Sequence, residues 1–112
     1  MKRGEIWWAS LTSPDGSGPG YRRPVLIVQA NSFNESRIST ILVAVITSNL
    51  ALAQAPGNVR ISKSDSGLPK VSVVNISQVL TLDRQFLTEC IGALPGRVMD
   101  HVNEGLKLVL SV

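Results

Sequence analysis

The sequence predicts a mainly β fold, a small and strongly bent β-barrel closed by one C-terminal helix. Short segments rich in β-branched residues alternate with Gly- and Pro-containing turns over residues 5–94, which is typical of barrels. Over residues 95–112 the apolar side chains recur at helical spacing instead. A chain of 112 residues has room for one hydrophobic core, so we expect residues 1–112 to form a single domain.

The first predicted strand is EIWWASL, residues 5–11. Strand alternation places Trp7 and Trp8 on opposite faces, so we expect one tryptophan in the core and the other half exposed. The next stretch, TSPDGSGPGY at residues 12–21, is rich in glycine and proline and has few side chains that could pack. We expect it to be a mobile flap.

The second and third predicted strands are PVLIVQA at residues 24–30 and ISTILVAVITSN at residues 38–49. We expect Pro24 at the first position of its strand, where the ladder needs no backbone N–H. The segment between the strands turns the chain, with its centre near Glu35. Both strands are apolar on both faces, which predicts that a second subunit covers them in a homodimer.

The remaining predicted elements are shorter strands, one turn and the closing helix. The strands are NVRIS at residues 58–62, VSVVNISQ continuing into VLTL at residues 71–82, and TECIGAL at residues 88–94. The stretch KSDSGLPK, residues 63–70, has the composition of a turn. The helix over residues 95–112 packs on the sheet through its apolar stripe.

Two arginines, Arg22 and Arg23, stand at the mouth of the second strand, where burying an unpaired charge would be costly. With the turn centred as above, residues whose numbers add to about 70 lie opposite each other in the antiparallel pair. Arg23 then meets Thr47 at one end of the sheet, and Ser48 and Asn49 add short polar groups there. A guanidinium fork beside hydroxyl donors suits a phosphate. We therefore expect an anionic ligand at this end.

The composition favours a soluble protein with an anionic partner. The formal net charge is +3, and no apolar run approaches the roughly 20 residues of a membrane helix. The apolar stretch near the N-terminus, residues 6–9, is too short for a signal peptide, so we expect a cytoplasmic protein with no membrane contact. The single cysteine, Cys90, agrees with a reducing compartment, and we expect it to be a buried thiol.

Other chemistries lack the residues they need. The only histidine, His101, has no second histidine with which to share acid and base roles. The eight carboxylates are scattered, so we expect no metal site. No Lys-Ser or Lys-Thr pair follows the glycines of the flap, which excludes a P-loop. We expect no metal and no cofactor.

Several segments resemble, in order, the MazF/PemK (Kid) family of toxin endoribonucleases. They are KRGEIWW, the Gly-rich loop, RRPVLIVQ, VAVITSN, GLPKVSVVNISQVLTLD and LPGRVMDHVNEGLKLVL. The resemblance covers essentially the whole chain and implies an SH3-like barrel shared with the CcdB toxin. It also implies a homodimer, metal-independent cleavage of single-stranded mRNA, and an antitoxin whose acidic, disordered tail occupies the RNA groove. The flap departs from the family's common pattern, which leaves the base specificity open.

The resemblance makes Arg23 and Thr47 the catalytic pair. RNA supplies its own nucleophile, the ribose 2′-OH, so the enzyme needs only to align it and stabilise the charge on phosphorus. Adjacent side chains of a strand point to opposite faces, so Arg22 should contact a phosphate farther along the RNA. The candidate RNA-binding residues are Trp8, Tyr21, Arg22, Ser48, Asn49 and Gln78. Trp8 and Tyr21 fit core or flap packing equally well, and Gln78 also fits a hydrogen-bonded amide at a strand end.

Two alternative functions are compatible with the same fold and involve no catalysis. A CcdB-like toxin binds gyrase, but its relatives carry a tryptophan beside the C-terminus, whereas this chain ends in LVLSV. A simple SH3-like interaction module would bind peptide or nucleic acid. For such a module the meeting of Arg23 and Thr47 would be a coincidence.

Overall fold

The computed structural model describes residues 1–11 and 21–112. The predicted flap lies outside the described residues, apart from Tyr21. No helix in the described part of the chain has the length and apolar character needed to cross a membrane.

The described residues form an antiparallel sheet with a long C-terminal helix, as the sequence predicts. The strands are Glu5–Leu11 (β1), Tyr21–Ile27 (β2), Thr40–Thr47 (β3), Val59–Ile61 (β4), Ser72–Asp83 (β5) and Leu87–Ala93 (β6). The α-helices are Asn31–Asn34 (α1), Lys63–Ser66 (α2) and Gly96–Leu110 (α3), and short 3-10 helices cover Leu50–Gln54 and Arg84–Phe86. The strand order is β4-β5-β3-β2-β1-β6. The sheet curls into a half-barrel, which confirms the predicted fold class.

The pairing of β2 with β3 follows the predicted register. Val25 lies opposite Val45 and Ile27 opposite Val43, so the numbers of paired residues add to 70. The chain reverses through α1, a single helical turn that follows Ala30, where a simple turn was predicted. The centre of the reversal is unchanged, because the numbers of the paired residues still add to 70.

Pro24 was predicted to begin its strand, but the strand begins three residues earlier, at Tyr21. β2 starts at Tyr21 and continues through Pro24, which lies opposite Trp8 of β1. β2 pairs with β3 only from Val25 onward, so the hydrogen bonds between these two strands require no backbone N–H at Pro24. The strand therefore starts before the proline, through its pairing with β1.

Two apolar clusters cover the two faces of the sheet. Neighbouring residues of β2 enter different clusters: Leu26 packs in the first, with α3, and Val25 in the second. Trp8 packs against the first cluster and Trp7 against the second, and both are half-buried. The prediction of one core and one half-exposed tryptophan is wrong, because each ring closes the edge of a different cluster.

The residues that pair β2 with β3 are covered on both faces within one chain. Residues 25–27 are fully buried, and residues 43–46 are at most 4% exposed. Of the apolar residues predicted to need a second subunit, Leu42 of β3 is exposed and Val28 is half-buried. Phe33 and Ile38, at the same α1 end of the hairpin, are also exposed.

Helix α3 packs its apolar stripe on the first cluster and touches a loop backbone to backbone. Val98, Met99 and Val102 are buried on one face of the helix. Gly105 lies against the carbonyl of Gly57, and a side chain at position 105 would collide with that oxygen. This contact holds the loop before β4, which follows the 3-10 helix at the end of β3.

Strand β5 joins two predicted segments through a wide irregularity. Its register against β3 shifts between Ala44, which pairs with Val79, and Val45, which pairs with Asn75. Residues 76–78 are therefore extra on β5, and they form a bulge that bends the strand.

Cys90 is exposed on β6 and is not the buried thiol that was predicted. Strand alternation explains its position, because the neighbouring Ile91 packs against the first cluster. Local burial of the thiol and the nearby Glu5 carboxylate raise the pKa of Cys90 above its ordinary value. The thiol is therefore protonated at neutral pH and is a poor nucleophile.

Candidate active site

A cleft of about 290 Å³ opens where β2 begins and β3 ends. Five of the residues proposed from the sequence line it: Trp8, Arg22, Arg23, Thr47 and Ser48. They come from three neighbouring strands and the turn after β3, so the sheet itself holds them together. The cleft therefore lies at the end of the hairpin where a site was predicted.

Arg23 and Thr47 lie on the same face of the sheet. Arg23 is two residues before Val25, and Thr47 two residues after Val45, which is the partner of Val25. Continuing this alignment by two residues, beyond the last paired positions, brings Arg23 opposite Thr47, and both side chains are half-buried. The Thr47 hydroxyl oxygen accepts a hydrogen bond from the Asn49 amide at 3.1 Å, which leaves its proton available for a ligand.

Arg22 points to the opposite face of β2, as alternation predicts. Its guanidinium carbon lies 4.9 Å from the centroid of the Trp8 ring, within the range of a cation–π contact. A second contact joins Arg22 to Glu89 at 3.4 Å, with side chains 55% and 67% exposed. A pair so open to solvent contributes little stability. Arg22 nevertheless lines the same cleft as Arg23, and the two arginines are less separated than the sequence implied.

The second wall of the cleft comes from the segment between α2 and β5, which sequence reasoning missed. It consists of Leu68, Pro69, Lys70 and Ser72. The available signal was the lysine in the turn-like stretch KSDSGLPK. Its position could not be read from spacing, because it depends on how β5 pairs with β3 and β4.

Three candidate RNA-binding residues do not line the cleft. Tyr21 is 45% exposed at the start of β2, opposite Leu11. Asn49 caps the following 3-10 helix, its side-chain oxygen accepting a hydrogen bond from the Ala51 amide at 3.2 Å. Gln78 is exposed in the β5 bulge, and its side-chain oxygen accepts a hydrogen bond from Asn75 at 3.2 Å.

The cleft is positively charged. Arg22, Arg23 and Lys70 line it, and the described lining residues include no carboxylate. Over residues 1–11 and 21–112, no three His, Cys, Asp or Glu side chains cluster as a metal site would require. The arrangement can bind an anion through guanidinium, ammonium and hydroxyl donors.

The fold is shared with solved toxins and antitoxin complexes. An endoribonuclease from a mycobacterial species, in complex with its cognate antitoxin, superposes with a TM-score of 0.82 at 24% identity, covering 100% of this chain and 96% of that one. A MazE–MazF complex from Deinococcus radiodurans gives a TM-score of 0.80 at 23% identity, with the same coverage. At these identities the likeness concerns the fold.

The chain belongs to the PemK-like, MazF-like toxins of type II toxin–antitoxin systems, whose family profile matches residues 2–110. It is 46% identical over 112 residues to the endoribonuclease MazF6 of Mycobacterium tuberculosis, covering 100% of this chain and 98% of the relative. It is 36% identical to the endoribonuclease EndoA of Bacillus subtilis, covering 100% and 96%. The resemblance drawn from the sequence is confirmed.

Proposed function

We propose that this chain is the endoribonuclease toxin of a toxin–antitoxin pair and that it cuts single-stranded RNA, including mRNA, at the cleft. Endoribonucleases at 36–46% identity align with the whole chain and support the activity. The observation that carries the site is the convergence of Arg23 and Thr47 on one basic cleft. A gyrase-binding toxin is not favoured, because these relatives are endoribonucleases.

The proposed reaction uses the nucleophile that RNA already carries. The 2′-OH attacks the adjacent phosphorus, the bond to the 5′ oxygen breaks, and the products are a 2′,3′-cyclic phosphate and a 5′-hydroxyl. Arg23 stabilises the negative charge that develops on the phosphoryl oxygens. Thr47 donates a hydrogen bond from its hydroxyl to the same phosphate and fixes its orientation. No step requires a metal ion.

Arg23 is suited to charge stabilisation and not to proton abstraction. A guanidinium carries only donors and no acceptor, so it cannot take a proton from the 2′-OH. Arg23 can donate a hydrogen bond or a proton to the leaving 5′ oxygen. The general base that removes the 2′-OH proton is not assigned to a side chain of the cleft.

Residues around the catalytic pair supply affinity for the strand. Trp8 offers a ring on which a base stacks, a contact worth about 1–3 kcal/mol per base. Arg22 and Ser48 are placed to contact the backbone. Tyr21, Asn49 and Gln78, which lie outside the cleft, are proposed for contacts with more distant nucleotides.

The proposed partners are a second copy of the chain and an antitoxin. An antitoxin with an acidic, disordered tail complements the positive cleft and blocks RNA by occupying it. The homodimer is proposed from the resemblance, since the residues that pair β2 with β3 are covered within one chain. Sedimentation at micromolar concentration is expected to give twice the 12.0 kDa monomer mass, and a monomer alone would contradict the dimer.

The test of the activity is cleavage of a long mixed-sequence RNA in excess chelator. We expect discrete fragments with 5′-hydroxyl and 2′,3′-cyclic phosphate ends, and mapping the ends gives the cleavage motif. A matched RNA with a 2′-deoxynucleotide at the mapped site should bind without being cut at that site. Intact RNA in chelator with cleavage on adding Mg²⁺ would overturn metal independence. Intact RNA under both conditions would overturn the function.

A further inference from the structure

We infer that Lys70 is a further RNA-binding residue that contacts a backbone phosphate next to the one held by Arg23. This inference rests on the proposed function and deepens it. Lys70 belongs to the second wall of the cleft, on the segment between α2 and β5, and it lines the same opening as the two arginines. Nothing in the resemblance assigned a role to this residue.

The backbone that carries Lys70 is fixed on both sides. Gly67 adopts a left-handed conformation with φ of 76°, and the Leu68 amide then donates to the buried Ser66 hydroxyl at 3.0 Å. The Leu68 side chain is only 5% exposed, which anchors the segment in the first cluster. The Ser72 hydroxyl donates to the Lys70 carbonyl at 3.0 Å. The backbone that carries Lys70 is therefore held at the rim of the cleft.

The charge around Lys70 indicates an anionic ligand. Other exposed cations have carboxylate partners: Arg97 pairs with Asp65 at 2.6 Å, and Lys107 pairs with Glu104 at 3.6 Å. Lys70 forms no ion pair with any residue in the described part of the chain. Three positive side chains around one small cleft raise the potential there and attract phosphate.

A backbone phosphate suits Lys70 better than a reacting phosphate or a base. An ammonium group is a point charge with rotatable donors, which neutralises a phosphate but lacks the planar fork that holds one geometry. Arg23 supplies that fork at the hairpin end, together with Thr47. Successive nucleotides each carry a phosphate, so a strand held at Arg23 brings a neighbouring phosphate to the opposite wall.

The experiment compares Lys70→Met and Lys70→Arg with Lys63→Met as the matched control. Lys63 is also exposed, lies on α2, and is absent from the lining of the cleft. Binding is measured on an RNA made uncleavable by a 2′-deoxynucleotide at the mapped site. We expect Lys70→Met to lower affinity about fivefold at 0.1 M salt and to reduce the slope of log K against log salt by about 0.7, the value for one phosphate contact.

Lys70→Arg is expected to keep the wild-type slope, and Lys63→Met to match the wild type throughout. Single-turnover cleavage of subsaturating RNA should slow in Lys70→Met by the same factor as the loss in affinity, because the contact assists binding and not chemistry. An unchanged slope in Lys70→Met, or an equal loss in Lys63→Met, would overturn the inference. A wild-type chain that neither binds nor cuts RNA would instead overturn the proposed function, so the two failures are distinct.

Discussion

The two ends of the β2–β3 hairpin contain similar polar residues and use them differently. At the α1 end, Gln29 and Asn34 are buried and joined at 3.0 Å, and Arg84 donates to the carbonyls of Asn34 and Phe33 at 2.9 and 3.0 Å. At the cleft end, Arg22 has a weak exposed ion pair. The Nη1 and Nη2 donors of Arg84 are bonded to the chain itself, while its Nε is buried without a partner among the described residues. The donors that line the cleft are accessible to a ligand.

This difference separates residues that stabilise the fold from residues that act on a substrate. An arginine whose two Nη groups are bonded to main-chain carbonyls holds two elements together, here the 3-10 turn after β5 and helix α1. An arginine that lines an open cleft adds positive charge there, which is useful when an anion binds. Substitutions at the two ends should therefore affect different measurements.

The largest expected effect is that of Arg23→Ala. Removing the charge donor at the reacting phosphate should slow cleavage by roughly two or more orders of magnitude. The free energy of unfolding should change by less than about 0.5 kcal/mol, as for most surface changes. Arg23→Lys should recover little, because the planar fork is lost while the charge stays. Full recovery in the lysine variant would show that charge alone is sufficient.

At the opposite end, Arg84→Met should lower stability and spare cleavage. It removes two charge-assisted hydrogen bonds to the carbonyls of Phe33 and Asn34, so we expect a loss of about 1.5–3 kcal/mol in urea unfolding. Cleavage measured well below the melting temperature should stay within twofold of the wild type. A folded Arg84→Met variant without activity would contradict the division between the two ends.

Arg22→Ala sharpens the comparison within the cleft. We expect weaker RNA binding and a salt slope reduced by about 0.7, which corresponds to one phosphate contact on a single strand. Its loss also removes the cation–π contact with Trp8. The binding measurement uses the same uncleavable RNA, with Arg97→Ala as a control on an arginine outside the cleft. A slope equal to that of the control would remove Arg22 from the RNA contacts.

The smallest effect is the pH dependence contributed by Glu5, at the start of β1. Burial alone would raise the pKa of Glu5, but hydrogen bonds from the Lys2 amide and the Trp7 indole, with the N-terminal ammonium group, lower it below 4.5. A lowered folded-state pKa gives stability that is present above the unfolded pKa and is lost as the pH falls through the folded value.

Wild-type protein should therefore lose more stability than Glu5→Gln as the pH falls below about 4.5, by less than about 1 kcal/mol. Urea unfolding at several pH values measures the difference. The two proteins should converge in acid, where Glu5 is protonated. Parallel curves over the whole range would show that Glu5 has the same pKa in both states.

The hairpin was predictable because its register follows from local sequence. Two apolar strands around a short reversal leave few alignments, so the meeting of Arg23 and Thr47 at one end could be inferred from numbering alone. Strand alternation likewise predicted that the side chains of Arg22 and Arg23 point to opposite faces of β2. Both inferences depend on short-range periodicity and need no knowledge of distant contacts.

The second wall and the bulge were not predictable in this way. Lys70 reaches the cleft through the pairing of β5 with β3 and β4, whose partners lie far apart in sequence. The extra residues of β5 place Gln78 outside the cleft, and their sequence gives no sign of a bulge. The capping role of Asn49 does have a signal in the sequence, because an asparagine before a helical turn often caps it.

Single-turnover cleavage of saturating RNA in chelator tests the account most directly, when Arg22→Ala, Arg23→Ala and Arg84→Met are compared with the wild type. The account predicts that only Arg23→Ala loses the reaction, by roughly 100-fold or more, while the other two cleave at close to the wild-type rate. Equal losses in Arg22→Ala and Arg23→Ala would contradict the assignment of Arg23 as the arginine that acts on the scissile phosphate.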